Sequence, residues 1–282
     1  MVPLRIPKWV LSILEIPRDF DKLSEEFLTS LKNDLSKFTT KEPSVSIVMP
    51  VYNEEENLVQ TLYSLSKLNL NHSAELIVIN NNSTDRTQEI LDRLGVTSYF
   101  QKKQGISYTR QLGLEMAKGK YHLCVDGDSI YHPDWLNDYI KYLEDKSISV
   151  VYGPYSFIPI HGLSHRKYFA IYEVITTYYF RFRRRNKEFL NVLGFNFGFR
   201  TEDGKKVGGF NTTRPRWSDG WMAMTLQELG KIKFVKTEGT RVWTTSRRIN
   251  ADGSLIRAFV KRVKKEAPTL SEKKVNLKLV NK

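Results

Sequence analysis

Two carboxylates separated by one glycine, Asp126-Gly127-Asp128, are the side chains in this sequence whose type and spacing most directly suggest chemistry. Hard oxygen ligands at i and i+2 can share a divalent ion that also takes phosphate oxygens, the way Mg2+ is usually held. Gly127 keeps bulk away and lets a ligand come close to the backbone. The pair follows Tyr121-His122-Leu123-Cys124-Val125, a run bounded by Gly119 and Pro133 that reads as a central strand of a parallel sheet. A strand ending there sets both acids at the carboxyl edge of the sheet, where open α/β folds bind ligands. Taken alone, the pair also reads as an acidic turn, since Asp-Gly is common turn chemistry.

The elements around this strand decide between the two. Residues 45–50 read as a strand closed by Pro50, and Asn53 with Glu56 reads as the capped start of a helix that buries Leu58, Leu62 and Leu65. A second strand spans 75–79, Ser83-Thr84-Asp85 caps a helix carried by Ile90, Leu91 and Leu94, and a third strand covers 97–100. Residues 105–118 form a helix whose Thr109, Gly113 and Ala117 give a small-residue face for close packing on the sheet. This alternation, from residue 45 to about 151, specifies a parallel sheet with right-handed crossovers. The junctions at Asn53, Asn81-Asn82 and Asp126-Asp128 then share one edge, and the helix N-termini there favour an anionic ligand. No Gly-rich phosphate loop is present, so phosphate charge must be met by metal and side chains.

After Pro154 the alternation stops. Residues 165–190 read as one long helix with Tyr168, Ile171, Tyr172, Ile175, Tyr178, Tyr179 and Phe182 on one face, ending in Arg181-Phe182-Arg183-Arg184-Arg185. That face either packs on the sheet or lies on anionic lipid. A strand at 194–200, a tight turn at Gly208-Gly209-Phe210, a helix from Ser218-Asp219 to Leu229, and short strands at 233–235 and 241–245 follow. A basic helix at 255–265 and a polar tail end the chain. At the other end, Phe20, Leu23, Phe27, Leu31 and Leu35 recur at helical spacing, so Asp19 or Asp21 opens an amphipathic helix that docks on the main domain or a partner. The organisation expected is a helical extension over 1–43, a main domain over 44–250 with halves 44–154 and 155–250, and a basic helix and tail over 251–282.

Composition narrows the class. A hydrophobic content of 40% with 12% aromatics supports a sizeable core, and no apolar run is long enough to span a membrane. Residues 8–14 are too short an apolar run for a secretory signal and lack a small-residue cleavage site. The single cysteine, Cys124, excludes an internal disulfide and fits a reducing, cytoplasmic setting. The net charge of +13 is regional: residues 241–282 hold twelve Lys/Arg against three acids, and 165–188 hold seven against two Glu. The rest is close to neutral, so the basicity belongs to the second half. A nucleic-acid-binding protein would suit the charge, but neither basic helix carries a groove-reading motif. His122 and His132 flank the acidic pair without ligand spacing and read as surface or packing residues.

Five ordered signatures stand together: Ser46-Ile47-Val48-Met49-Pro50-Val51-Tyr52-Asn53-Glu54-Glu55; Ile77-Val78-Ile79-Asn80-Asn81-Asn82-Ser83-Thr84-Asp85; Gly105-Ile106-Ser107-Tyr108-Thr109-Arg110 with Gly113 and Ala117-Lys118-Gly119; Asp126-Gly127-Asp128; and Gly208-Gly209-Phe210 followed by Asp219. Over residues 45–250 the chain resembles a glycosyltransferase of family 2. The resemblance implies the GT-A fold: a Rossmann-like, mainly parallel sheet flanked by helices, with a mixed acceptor-binding half.

It also implies roles. Pro50, Tyr52 and Glu54 would line the nucleoside pocket, Arg110 would stand near ribose and phosphates, and Asp126 with Asp128 would hold ribose and the diphosphate-bound Mn2+ or Mg2+. Asn81 replaces the family's base-contacting acid, and an amide both donates and accepts where a carboxylate only accepts. Asp219 would be the catalytic base, with Ser218 in place of the family's Glu. Arg247-Arg248 is a candidate diphosphate clamp, and the Gln-x-x-Arg-Trp motif of processive members is absent.

The expected reaction is inverting transfer of one sugar from a nucleoside-diphosphate sugar, a UDP-sugar by preference, to a hydroxyl on a glycan or lipid-linked acceptor in cell-envelope or surface glycan synthesis. The alternatives are transfer to a polyprenyl phosphate on the inner face of the membrane, or nucleotide or nucleic-acid binding without turnover. No nucleic-acid partner is expected.

Overall fold

A computed structural model describes residues 2–159, 165–213, 217–247 and 257. Arg248 and, apart from Arg257, the basic helix expected at 255–265 lie outside the described residues. The central sheet has seven strands in the order β3-β2-β1-β4-β8-β6-β9. Here β1 is Val45–Val51, β2 Ala74–Asn80, β3 Ser98–Phe100, β4 Tyr121–Cys124, β6 Ile148–Tyr152, β8 Phe197–Arg200 and β9 Lys231–Phe234. Strands β3, β2, β1 and β4 are parallel, as the alternation requires. Strand β8 enters antiparallel between β4 and β6, so β4 and β6 point the same way, and β9 is parallel to β6.

Runs such as Ile47-Val48-Met49 and Leu76-Ile77-Val78-Ile79 are buried on both faces because helices cover both sides. On one side, α5 (Ile106–Met116) lies so close that a Cβ on Gly113 would stand 2.3 Å from Val48 Cγ1, as its small-residue face demands. On the other, α3 (Leu58–Ser66) buries Leu58, Leu62 and Leu65, and α4 (Thr87–Arg93) follows beside it. The helix α6 (Trp135–Leu143) packs on β6 through its aromatic stripe.

Some local expectations are corrected. Pro50 does not close β1 but lies within it, opposite Ile79; β4 pairs with β1 only as far as Val48, so no ladder donor is missed on that side. Asn53 does not cap α3, which begins five residues later, behind Asn57. Instead it adopts φ 51°, a left-handed conformation that Asn tolerates, and its Oδ1 accepts from Thr84 N at 2.9 Å. The two loops at the sheet edge are thereby tied together.

The N-terminal helix opens at Ser24, not at Asp19 or Asp21. Ser24 Oγ accepts from Phe27 N, and Asp19 caps only a short 3-10 turn. This helix, α2 (Glu25–Leu35), docks on α3 and buries Leu28, Leu31 and Leu35, each worth about 1.5–3 kcal/mol against exposure. Before it, the short apolar run at 8–14 forms a helix, α1 (Lys8–Leu14), which sets Val10 and Ile13 against Ile130, Ile158 and Trp243.

The second half holds α7 (Arg166–Arg183), α8 (Thr201–Lys206) and α9 (Ser218–Leu226). It also holds a small sheet in the order β5-β10-β7, made of Ser129–Ile130, Val242–Thr245 and Tyr155–Ile158. The aromatic face of α7 does not pack on the sheet. Tyr168, Ile171, Ile175, Tyr178 and Phe182 are each 51–72% exposed, while the opposite side buries Phe169, Ala170 and Thr176 and, contrary to its expected place on the aromatic face, Tyr172. The terminal arginines also divide. Arg183 is buried, with its guanidinium on Asn191 Oδ1 and Leu190 O, and Arg184 pairs with Glu188 at 3.5 Å, leaving Arg181 and Arg185 exposed.

Candidate active site

A cleft of about 470 Å3 opens at the carboxyl edge of β1, β2 and β4. Pro50, Tyr52, Glu54, Asn81, Asp126, Asp128 and Arg247 all line it. Tyr52 stands half-exposed at its wall, where a ring can offer its face to a planar base. Arg110 and Asp219 are not in its lining.

The acidic loop is held from three directions. Thr61 on α3 donates to Gly127 O at 2.9 Å and accepts from Ser129 N at 3.2 Å. Asp126 N donates to the Tyr131 hydroxyl at 2.9 Å, and that hydroxyl donates to Phe195 O. Strand β5, which begins directly after Asp128, pairs antiparallel with β10, with Ser129 opposite Thr244. That pairing brings Thr245 Oγ1 to 2.8 Å from Asp128 Oδ2 and carries Arg247 over the loop. The Arg247 guanidinium contacts Glu54 Oε1 and reaches Asp128 Oδ2 at 3.4 Å. Burial first, and the charge of Asp128 second, push the Glu54 carboxyl up to about 7 against the pull of Arg247 and Asn57.

Asn81 lines the cleft, but its amide is committed elsewhere. Its Nδ2 donates to the carbonyls of Gln101 and Lys103, and its Oδ1 accepts from Gly105 N at 2.8 Å. A carboxylate could not make the two donor bonds. The residue that departs from the family pattern therefore shapes the loop into α5 and does not present a free group to the cleft.

Arg110 lies beneath the cleft. It is 6% exposed, its Nη2 stands 3.5 Å from Asp126 Oδ1, and its Nη1 donates to Ser218 Oγ at 2.9 Å. Burial opposes its charge, but Asp219 and Asp126 outweigh burial and raise its pKa. A Cβ at 194 would fall 1.6 Å from Arg110 Nη2, so a larger residue there would displace the guanidinium. Asp219, in the first turn of α9, is fixed by two backbone donors: Gly194 N to Oδ2 at 2.7 Å and Gly220 N to Oδ1 at 2.9 Å. One buried guanidinium thus joins the acid that ends β4 to the helix start that carries Asp219. Thr61, Thr245, Tyr131 and Gly194 carry no local signal and escape a reading of the sequence.

His122 and His132 are packing residues, as the sequence reading allows. His122 stacks on Phe199, and burial ahead of nearby Lys205 and Arg110 lowers it to about 3, so it is neutral. His132 stands edge-on to Trp9. Gly208 and Gly209, at φ 90° and 73°, form the expected turn, whose Phe210 N donates to Gln111.

The donor set suits a hard divalent ion. Asp126 and Asp128 are oxygen ligands, and Asp128 already draws the Arg247 cation to one oxygen. Among the described residues no group of three His, Cys, Asp or Glu could hold an ion alone. Two carboxylates therefore need oxygens of a bound ligand, such as a diphosphate, to complete the shell.

The profile of the family described as "Glycosyl transferase family 2" matches residues 46–208. An uncharacterized glycosyltransferase of Haemophilus influenzae is 34% identical over 127 residues, 43% of this chain and 50% of that protein. The putative teichuronic acid biosynthesis glycosyltransferase TuaG of Bacillus subtilis is 27% identical over 145 residues, 49% of this chain and 57% of that protein. The chain thus spans about half the length of these curated relatives. Among solved structures, S. aureus TarS 1-349 in complex with UDP aligns with TM-score 0.57 at 19% identity over 72% of this chain and 60% of that one. The mannosyltransferase PcManGT of Pyrobaculum calidifontis, in complex with GDP-Man and Mn2+, aligns with TM-score 0.54 at 18% identity over 89% of this chain and 72% of that one.

Proposed function

We propose, for a chain that belongs to glycosyl transferase family 2 and is a glycosyltransferase of the GT-A fold, that it transfers one sugar with inversion from a nucleoside-diphosphate sugar to an acceptor hydroxyl. The observation that carries this reading is the buried Arg110, which sets the cleft acid Asp126 and the acceptor-side Asp219 on one rigid support. The donor's base lies against Tyr52 and its diphosphate meets Asp126, Asp128 and Arg247. A Mn2+ or Mg2+ ion held by Asp126 and Asp128 would neutralise charge on the departing diphosphate. Asp219, oriented by Gly194 and Gly220, accepts the proton of the acceptor hydroxyl as it attacks C1. Inversion needs no enzyme nucleophile, so a single base suffices. The complexes of TarS with UDP-GlcNAc and of PcManGT with GDP-Man and Mn2+ support a nucleotide-sugar donor. A cell-envelope or surface glycan is the proposed product.

A thermal-shift panel of nucleoside diphosphates and their sugars, with and without Mn2+, tests the donor assignment. Binding at 100 times Kd stabilises a fold by about 2.7 kcal/mol, a shift of several degrees. UDP with Mn2+ is expected to raise Tm most. A flat response to every nucleotide would refute the donor site.

The exposed face of α7 favours a second element of this reading, an acceptor met at an anionic membrane surface. No helix among the described residues is long and apolar enough to cross a membrane. Tyr168, Ile171, Tyr178 and Phe182, with exposed Lys167 and Arg185 beside them, have the composition of an interfacial helix. Each basic residue near anionic lipid contributes about 1 kcal/mol. The protein is therefore expected to sediment with phosphatidylglycerol vesicles at low salt, less at high salt, and less again after Arg185→Ser or Phe182→Ser. Equal recovery in the supernatant with anionic and neutral vesicles would remove the membrane from the account.

A further inference from the structure

Two acids of the cleft come from loops that follow different strands. Glu54 follows β1 and accepts from Asn57 Nδ2 at 3.0 Å, and Asp128 follows β4. Their side chains are only 11% and 13% exposed, so water screens their mutual repulsion poorly. Among the described residues that line the cleft, the only cation is Arg247. One of its nitrogens, Nη2, serves both acids: it contacts Glu54 Oε1 and stands 3.4 Å from Asp128 Oδ2.

The base of this side chain is fixed by backbone. Trp243 and Thr244 pair with Ile130 and Ser129, and Thr245 N donates to Asp128 O at 3.2 Å. The next residue, Ser246, is fully buried, and its N donates to Ile158 O at 3.1 Å. The Arg247 side chain beyond them is 43% exposed, and its charged end rests on the two carboxylates. A long side chain on a fixed base can exchange one anion for another while its strand stays in place. Asp128 is where that exchange matters. Its Oδ2 already receives Thr245 Oγ1 and faces Arg247, while Oδ1 has only Ser129 Oγ at 3.4 Å. A guanidinium and a divalent ion on one poorly screened carboxylate would repel each other.

We infer that Arg247 is an exchangeable counter-cation, which neutralises Glu54 and Asp128 and passes to the donor diphosphate when Asp128 takes a divalent ion. The inference rests on the nucleotide-sugar reading above and adds a coupling between ion and nucleotide to it. Arg247 must leave Asp128 before an ion can bind alone, so that binding is weak. A diphosphate alone recruits Arg247 but faces the two acids it has left. With both present, the phosphate oxygens complete the shell of the ion and give the guanidinium a bidentate anion. The two ligands therefore favour each other, and by linkage the factor is the same from either side. Toward the ion, Arg247 is a positioning residue that acts through Asp128.

The test is a set of titrations on the full chain. Mn2+ is followed by the paramagnetic resonance signal of the free ion and UDP by calorimetry, each alone and with the other saturating; UDP alone is titrated in chelator. Arg247→Gln is expected to bind Mn2+ alone about fivefold tighter or more, and UDP alone about fivefold weaker or more. The coupling between the two should then fall by about tenfold or more. Arg247→Lys keeps the charge and is expected to keep most of the coupling. A residue that only braced the loop would weaken both ligands together, so the opposite signs separate the two roles. The inference is overturned if Arg247→Gln binds Mn2+ alone no tighter than the parent, or if it weakens both ligands. It is also overturned if Arg247→Lys loses as much coupling as Arg247→Gln. A parent that binds no UDP even with Mn2+ strikes the donor reading and this inference with it. A parent that binds UDP while the variants show unchanged coupling strikes this inference alone.

Discussion

Asp219→Asn is expected to lower kcat by about 10²–10⁴-fold and to leave donor affinity nearly unchanged. The carboxylate accepts from Gly194 N and Gly220 N, so an amide can keep one bond through its oxygen while its NH2 faces the other N–H. That costs local hydrogen bonding and removes one of the charges that hold Arg110 ionised, but the other, Asp126, remains. The helix start survives, because α9 is anchored by buried Ser218, Met222 and Leu226. What disappears is the carboxylate proposed to take the acceptor's proton. Single-turnover kinetics with a saturating acceptor, beside a titration of UDP, separate the effects. Collapse of UDP binding with turnover retained would move Asp219 out of the base role and into the nucleotide site or the fold.

Strand and helix alternation was legible because it is written in short-range periodicity. The buried strands read as continuous apolar runs, and Gly113 marks a close helix-to-sheet contact that the structure contains. The position of the acidic pair follows from the same pattern, since a strand that ends in Asp126-Gly127-Asp128 has only one edge to present them at. The family and fold assignments rest on five such signatures in order. Long-range pairing was not legible. Nothing near Ser129 or Thr244 announces that they face each other, and that pairing puts Thr245 and Arg247 on Asp128.

The residues whose settings are hidden from the sequence have a common cause. Asn53 and Asn81 each look like groups aimed at a helix or a ligand, but both are spent on neighbouring loop backbone, a use that depends on where other loops come to rest. Arg110 reads as a phosphate contact by family position, and the structure sets it one layer deeper, where glycine at 194 leaves it room. The aromatic stripe of α7 shows the limit of periodicity itself. Both sides of that helix are apolar enough to be buried, and the side that packs is the one bearing Phe169, Tyr172 and Glu173. Glu173 is drawn inward by a buried Arg166 that no local pattern predicts.

Asp128→Asn is expected to cut turnover by about a hundredfold or more and, separately, to abolish most of the Mn2+-dependent part of the UDP thermal shift. The substitution is nearly isosteric. Thr245 can still donate to the remaining oxygen, the β5–β10 pairing is made by backbone, and Arg247 keeps its contact with Glu54. The loop should therefore stay in place, and the melting temperature without ligands should move by less than the ligand shift does. What changes is charge: one of the two proposed anionic oxygen ligands becomes neutral where the diphosphate is proposed to bind. Among the described residues no third acid completes a group able to hold an ion there, and Glu54, also in the cleft, is already engaged by Arg247. The comparison that decides is a Mn2+ titration at fixed UDP for the parent and for Asp128→Asn, with Asp126→Asn alongside. Asp126 also faces Arg110, so its substitution should weaken metal-assisted UDP binding and in addition lower the unliganded melting temperature. Full turnover in excess chelator, or the same Mn2+ dependence in Asp128→Asn as in the parent, would show that Asp126 and Asp128 hold the donor by hydrogen bonds and that the diphosphate is neutralised by Arg247 instead.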